Sequence, residues 1–275
     1  MSAEPEALVP RYLERPQGRV GYDLAGEGPL IVLVPGMGDL RSTYRFVAPR
    51  LCEAGYKVAS TELRGHGDSD TGFDSYGDND TAFDIVALIE ALTGPAVIVG
   101  NSMGAAAAVL AAGARPELVS GLVLVGPFVR DAPSGLLQRL MLRVALARPL
   151  AAMSWRAYLP KLYAGRRPSD FEAYRDAVVA SLRSRGHAKS FSLTTRTKHG
   201  AAEARLGGVH VPTLVVMGDK DPDFDDPGAE AAWIAEKVGG KFVMVSDAGH
   251  YPQSQQPEAT TQAILALLAE VAGHG

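Results

Sequence analysis

Ala96-Val97-Ile98-Val99-Gly100-Asn101-Ser102-Met103-Gly104-Ala105-Ala106 is the stretch whose reading decides the fold. The opening run, Ala96 to Val99, is short, apolar and β-branched, which reads as a strand buried on both faces. The alanine-rich residues from Met103 to Ala114 read as a helix. Between them, Gly100-Asn101-Ser102-Met103-Gly104 matches the pattern G-x-S-x-G. By itself the pattern is weak, since a chain this rich in glycine matches it by chance about 0.2 times. Its setting adds the specificity: strand, sharp turn, helix. Such a turn lifts a serine oxygen above the sheet, and the glycines avoid clashes with neighbouring strand and helix.

Working outward, similar apolar runs recur at Leu30–Val34, Tyr56–Ala59, Leu122–Val125, Thr213–Met217 and Phe242–Val245, each followed by glycine or a polar cluster. Helical spacing separates them, over Tyr44–Ala54, Asp80–Leu92, Met103–Ala114, Ala229–Val238 and Thr260–Val271. In the second of these, Ile85, Leu88, Ile89 and Leu92 fall on one face. The alternation predicts an α/β fold with a mostly parallel, doubly wound sheet. Val20–Gly26 reads as antiparallel edge material. Between Val129 and Arg205 the alternation stops, helical spacing continues, and prolines 133, 149, 160 and 168 are expected to cut short helices. The expected organisation is a core of residues 1–128 and 206–275 carrying a helical cap insertion, 129–205.

A serine hydroxyl attacks carbonyl carbon only when a base removes its proton. His250, in Ala248-Gly249-His250-Tyr251-Pro252 after the last strand run, is the candidate base. Of the other histidines, 187 and 199 lie in the insertion, 210 precedes a strand, 274 is in the tail, and His66 sits in a glycine loop. The base needs a carboxylate to fix its tautomer. Gly218-Asp219-Lys220-Asp221-Pro222 follows the preceding strand run, and Asp221 is the candidate, with Asp219 and Asp223 as fallbacks. The chain order is then Ser102, Asp221, His250. A base with the ordinary imidazole pKa of about 6.5 would make activity rise between roughly pH 5.5 and 7.5. The oxyanion of a tetrahedral intermediate needs donors, one of them the backbone N–H of Met103, the residue after the serine. The other is expected from the Pro35-Gly36-Met37-Gly38 loop.

With these residues in place, the chain from Val20 to Val271 resembles an α/β-hydrolase-fold serine hydrolase with a helical cap. The family's acid motif, glycine, two residues, Asp-Pro, matches Gly218 to Pro222. Its Gly-His-aromatic-Pro matches Gly249 to Pro252. Its Arg-Gly-His-Gly matches Arg64 to Gly67, a structural turn, which leaves His66 out of catalysis. Its His-Gly-x-Gly loop corresponds to Pro35–Gly38 and implies the N–H of Met37 as the second oxyanion donor, with proline where histidine is common. The resemblance implies a cofactor-free esterase cleaving a small carboxylic ester or related acyl compound. The elbow Gly-Asn-Ser-Met-Gly is also similar to that of carbon–carbon bond hydrolases of dienoic ring-fission products, although Tyr251 replaces the tryptophan often found there. A perhydrolase and a non-catalytic ligand receptor share the same fold. Ser102 argues against haloalkane dehalogenases and epoxide hydrolases, whose nucleophile is an aspartate.

Composition agrees with a globular chain: 47% hydrophobic, 21% charged, net charge −4 over 275 residues. No basic excess points to nucleic acid. The single cysteine, Cys52, can form neither an internal disulfide nor a cysteine-rich zinc site. No phosphate loop, G-x-G-x-x-G or H-E-x-x-H occurs, so neither cofactor nor metal is expected. The first residues are acidic and lack a signal-like apolar run, and no stretch is long enough to span a bilayer, so the expectation is a cytoplasmic protein that meets no membrane. Charge is uneven. Val129–Arg205 holds 15 Lys and Arg against 5 Asp and Glu, a net of +10, leaving −14 elsewhere. Such a cap either steers a small anionic substrate or is a solvated surface.

Overall fold

The computed structural model describes residues 10–131, 146–147 and 149–273. The expected break at Pro133, arginines 139, 143 and 148, the acidic N-terminus and His274 lie outside these residues. Eight strands form one sheet: β1 (Arg11–Arg15), β2 (Gly18–Ala25), β3 (Leu30–Val34), β4 (Lys57–Thr61), β5 (Ala96–Asn101), β6 (Val119–Val125), β7 (Thr213–Gly218) and β8 (Lys241–Val245). Their order is β1-β2-β4-β3-β5-β6-β7-β8. β1 and β2 run antiparallel to their neighbours and every later pairing is parallel. The doubly wound α/β expectation therefore stands, including the antiparallel edge.

The apolar runs of β3 to β7 are continuous because helices cover both faces of the sheet there, whereas in edge strand β8 Phe242 and Val243 are exposed. Val32, Ile98, Leu122, Leu124 and Val215 join one buried cluster, while Ile31, Leu33, Val97, Val99, Val123 and Val216 join another. Successive strand residues point to opposite faces, so one strand feeds both cores. The first cluster takes in α2 (Asp78–Ala91) and α3 (Met103–Ala114); the second takes in α1 (Val47–Glu53). β1 escapes the sequence reading. Its residues Arg11-Tyr12-Leu13-Glu14-Arg15 are largely exposed and pair only with β2.

Between β6 and β7 the described residues form helices, chiefly α4 (Ala151–Leu162), α5 (Phe171–Arg183) and α6 (His187–Thr194). Pro160 was expected to end a helix but lies inside α4. It stands near the C-terminal end, where few later N–H groups depend on unbroken bonding, so the helix runs on to Leu162. Trp155, Leu159, Leu162, Tyr163, Phe171, Tyr174 and Phe191 bury one another and pack against Tyr251 beside the carboxyl ends of the strands. After β7 come α7 (Pro227–Val238) and, beyond β8, α8 (Pro257–Gly273). No helix among the described residues is long and apolar enough to cross a membrane.

Candidate active site

The turn from β5 into α3 places Ser102 at φ 56°, ψ −120°, an uncommon conformation for a residue with a side chain. The strain is fixed by its surroundings. Ser102 N–H donates to the Val125 carbonyl at 2.9 Å, and its own carbonyl accepts from Ala105 N–H at 3.0 Å. A Cβ at Gly100 would stand 2.3 Å from the Gly104 carbonyl oxygen, and one at Gly104 would stand 2.7 Å from those of Val34 and Pro35. Both glycines of the pattern are therefore required by backbone approach. Ser102 is 8% exposed and opens on a cavity of about 380 Å³.

His250 lines the same cavity. Its Nδ1 lies 2.8 Å from Asp221 Oδ2, with both residues buried. A carboxylate only accepts, so Nδ1 carries the proton and Nε2 is left toward the cavity. Asp221 Oδ1 accepts from Asp223 N–H at 3.1 Å. Asp223 stands farther from His250, Oδ2 at 3.8 Å, and accepts from the Tyr158 hydroxyl at 2.6 Å. Asp219 is exposed. Asn101 ties the two loops together: its Nδ2 donates to the carbonyls of Val125 and His250 at 3.0 and 3.1 Å. No hydrogen bond joins Ser102 Oγ to His250, and bonds between a hydroxyl and a neighbouring imidazole commonly tighten only as substrate binds.

Burial alone would pull the His250 ring down, but the charge and hydrogen bond of Asp221, reinforced by Asp223, outweigh it and push the ring up to about 9. The expectation of an ordinary pKa is corrected accordingly. Buried Asp39, two residues past Met37, adds to the same negative field. Burial pushes Asp39 up to about 6 although it accepts from the Tyr174 hydroxyl. Asp221, Asp223 and His250 place one ligand atom each within 4.8 Å of one another, as a metal site would. Asp221 and His250 are already joined by their own hydrogen bond.

Met103 N–H begins α3 and Met37 N–H lies in the loop after β3. Neither donates to a protein acceptor among the described residues, and both residues line the cavity. The loop is held one residue on. Gly38 N–H donates to His66 Nε2 at 3.1 Å, and the Gly38 carbonyl accepts from Trp155 Nε1 at 2.7 Å. His66 Nδ1 in turn reaches the Arg64 carbonyl at 2.9 Å. Burial pushes this ring down to about 4, so it stays neutral and keeps an acceptor at Nε2. His66, read from sequence as part of a turn, thus braces the loop in which Pro35 replaces the usual histidine.

A second imidazole also faces the cavity. His199 Nδ1 lies 2.8 Å from buried Asp78 Oδ2, an arrangement without any sequence signal. Among the described arginines of the insertion, Arg156 pairs with Asp176 and Arg175 with Glu172, while Arg130 reaches Glu230. No Lys or Arg is among the described residues of the lining.

The model of the alpha/beta hydrolase family matches residues 31–263. The chain belongs to that family. It is 29% identical over 248 residues to the 2-(acetamidomethylene)succinate hydrolase of Mesorhizobium japonicum, covering 87% of each protein. It is 29% identical over 273 residues to the polyketide synthase ThaQ of Burkholderia thailandensis, covering 96% of this chain but only 13% of that protein. Among solved structures, a thermophilic esterase from Thermogutta terrifontis, malate bound, superimposes with a TM-score of 0.81 at 25% identity, covering 95% of this chain and 99% of that one.

Proposed function

We propose that this alpha/beta hydrolase is a serine hydrolase of small carboxylic esters or related acyl compounds, with Ser102 as nucleophile, His250 as base and Asp221 as the acid that orients it. The observation that carries the reading is the Asp221–His250 bond, buried in the wall of the cavity onto which the strained Ser102 turn opens. In this scheme His250 Nε2 takes the Ser102 proton as Oγ bonds to the carbonyl carbon. The carbonyl π pair moves to oxygen, where the N–H groups of Met37 and Met103 receive it. Collapse expels the alcohol, which takes the proton from His250, and leaves an acyl-Ser102. Water then loses a proton to His250 and attacks the acyl carbon, and collapse releases the acid as His250 returns that proton to the departing Ser102 Oγ. No step calls for a cofactor.

The inserted helices act in this reading as a cap over residues 129–205, on a core of 1–128 and 206–275. Trp155 supplies a cavity wall while its Nε1–H holds the oxyanion loop. The lining is mostly apolar, with Asp223 as its described acid. That favours a neutral acyl compound over the anionic substrates considered from the cap's charge. It favours an ester over a dienoic ring-fission product, whose carboxylate would seek a cation. The T. terrifontis esterase supports the ester class.

A fluorophosphonate should label Ser102, mapped by mass spectrometry, and p-nitrophenyl esters of graded chain length should be turned over. Ser102→Ala should lose roughly 10⁴- to 10⁶-fold in kcat with folding intact. Labelling at a different serine, or turnover unchanged by the substitution, would end the reading. Labelling without turnover of any ester would favour a receptor.

A further inference from the structure

We propose that His199, fixed by the buried Asp78 carboxylate, is a specificity-determining residue that hydrogen-bonds a neutral oxygen, in the simplest case a hydroxyl, carried by the substrate away from its reacting carbonyl. The inference rests on the serine-hydrolase reading for the location of that carbonyl. Asp78 is the first residue of α2 and its side chain is 1% exposed. Its Oδ1 accepts from the Thr197 hydroxyl at 3.2 Å and its Oδ2 meets His199 Nδ1 at 2.8 Å. Among the described residues no Lys or Arg pairs with it, so His199 is its only ionisable partner. A buried carboxylate needs such a donor, which fixes the proton on Nδ1 and the plane of the ring.

The His199 main chain is also held, its N–H donating to Asp131 Oδ1 at 3.2 Å. Nε2 is left without a hydrogen-bond partner among the described residues, in a ring that lines the cavity. Phe128 fixes the distance scale. Its ring lies 6.0 Å from His199, stacked, and 5.5 Å from His250. One small ligand can therefore meet both imidazoles, with its carbonyl at Ser102 and a second polar group at His199. A neutral ring accepts a hydroxyl proton at Nε2, and a protonated ring donates to the hydroxyl oxygen, so a hydroxyl is satisfied in either state. A carboxylate would instead enter a cavity holding Asp223, with Asp78 behind its wall.

The test compares esters that differ only by CH₃ against OH. One pair carries the change on the acyl chain, p-nitrophenyl heptanoate against the ω-hydroxyhexanoate, and one on the alcohol, hexyl against ω-hydroxypentyl acetate. An ω-carboxylate ester completes the set. The wild type should favour one hydroxy ester by about tenfold in kcat/KM. His199→Phe should bring that ratio to within about twofold whatever its absolute rate, and His199→Gln, which keeps a hydrogen-bonding head, should restore part of it. Calorimetric binding of the same esters to Ser102→Ala reads recognition without chemistry. A hydroxyl preference in binding with no turnover in the wild type would end the esterase reading and leave the His199 assignment standing. Equal binding of both members of both pairs, or a preference that survives His199→Phe, overturns the assignment. Tighter binding of the carboxylate than of the hydroxy ester overturns the neutral-oxygen choice.

Discussion

Two imidazole–carboxylate pairs face one cavity, and by hydrogen-bond geometry they are twins, each with Nδ1 2.8 Å from a buried carboxylate oxygen. Their surroundings differ. His250 is 2% exposed, has Asp223 as a second carboxylate at 3.8 Å, and is tied through Asn101 to the turn that carries Ser102. His199 is 14% exposed, belongs to the chain returning from the insertion, and has no such tie. A carboxylate at 2.8 Å fixes a tautomer in both pairs. What separates them is the tie to the Ser102 turn, which His250 has through Asn101 and His199 lacks.

The largest effect expected from this contrast comes from removing each carboxylate's charge. Asp221→Asn should lower kcat on a plain ester by about 10⁴-fold, because the ring loses its correct tautomer and the imidazolium its counter-charge. Asp78→Asn should cost about tenfold or less on the same ester and act mainly on substrate choice. Steady-state kinetics on one p-nitrophenyl ester decides it. Equal losses would mean that the two pairs are not functionally distinct, and a larger loss for Asp219→Asn than for Asp221→Asn would move the acid.

His66 is a third case, an imidazole with no carboxylate at all. It presents Nε2 to the Gly38 N–H and is held neutral by burial. His66→Phe should leave that amide without an acceptor and let the Pro35–Gly38 loop drift; if that loop supplies an oxyanion donor as proposed, the cost is roughly 10- to 100-fold in kcat with a smaller change in KM, since such donors act on the transition state. Equal scaling of kcat/KM and 1/KM would show that His66 only shapes the cavity.

The sheet was legible because strands buried on both faces spell continuous β-branched runs, and Leu30–Val34 is predicted residue for residue. β1 was not, since an exposed edge strand needs no apolar pattern. Pro160 misled because a proline's cost depends on how much helix follows it. In the site, Ser102, Asp221 and His250 sit in local motifs just after β5, β7 and β8. His199 and Asp78 are 121 residues apart and meet only through packing. His66 lay in a recognised motif, but its bond to Gly38 depends on how two loops come together.

The pH profile gives the next smaller effect. With His250 pushed up to about 9, the rise in kcat/KM should fall on the alkaline side of the ordinary imidazole value of about 6.5. The sign follows from the base being active only when deprotonated: a carboxylate that stabilises the imidazolium moves the rise to higher pH. Asp223→Asn should therefore bring the rise down, but modestly, because Asp223 is the more distant acid. His66, neutral above about 4, should add no inflection between pH 5 and 9. A wild-type rise centred below 6.5 would show that the Asp221 field does not dominate the free enzyme.

The smallest effect expected is that of salt. The insertion is strongly basic, yet neither imidazole pair meets a Lys or Arg among the described residues, and the described cavity lining has none. Arg156 and Arg175 of the insertion are paired with the local acids Asp176 and Glu172. An anionic and a neutral ester of equal size should then keep their kcat/KM ratio within about twofold between 0.01 and 0.1 M salt, although the Debye length falls from about 30 to about 10 Å. Steering would show itself differently: the anionic ester would gain at low salt, in kcat/KM and hardly in kcat, wherever encounter limits the rate. A severalfold gain of that kind would mean that the cap's charge reaches the cavity mouth, and that the contrast between the two pairs must be redrawn to include it.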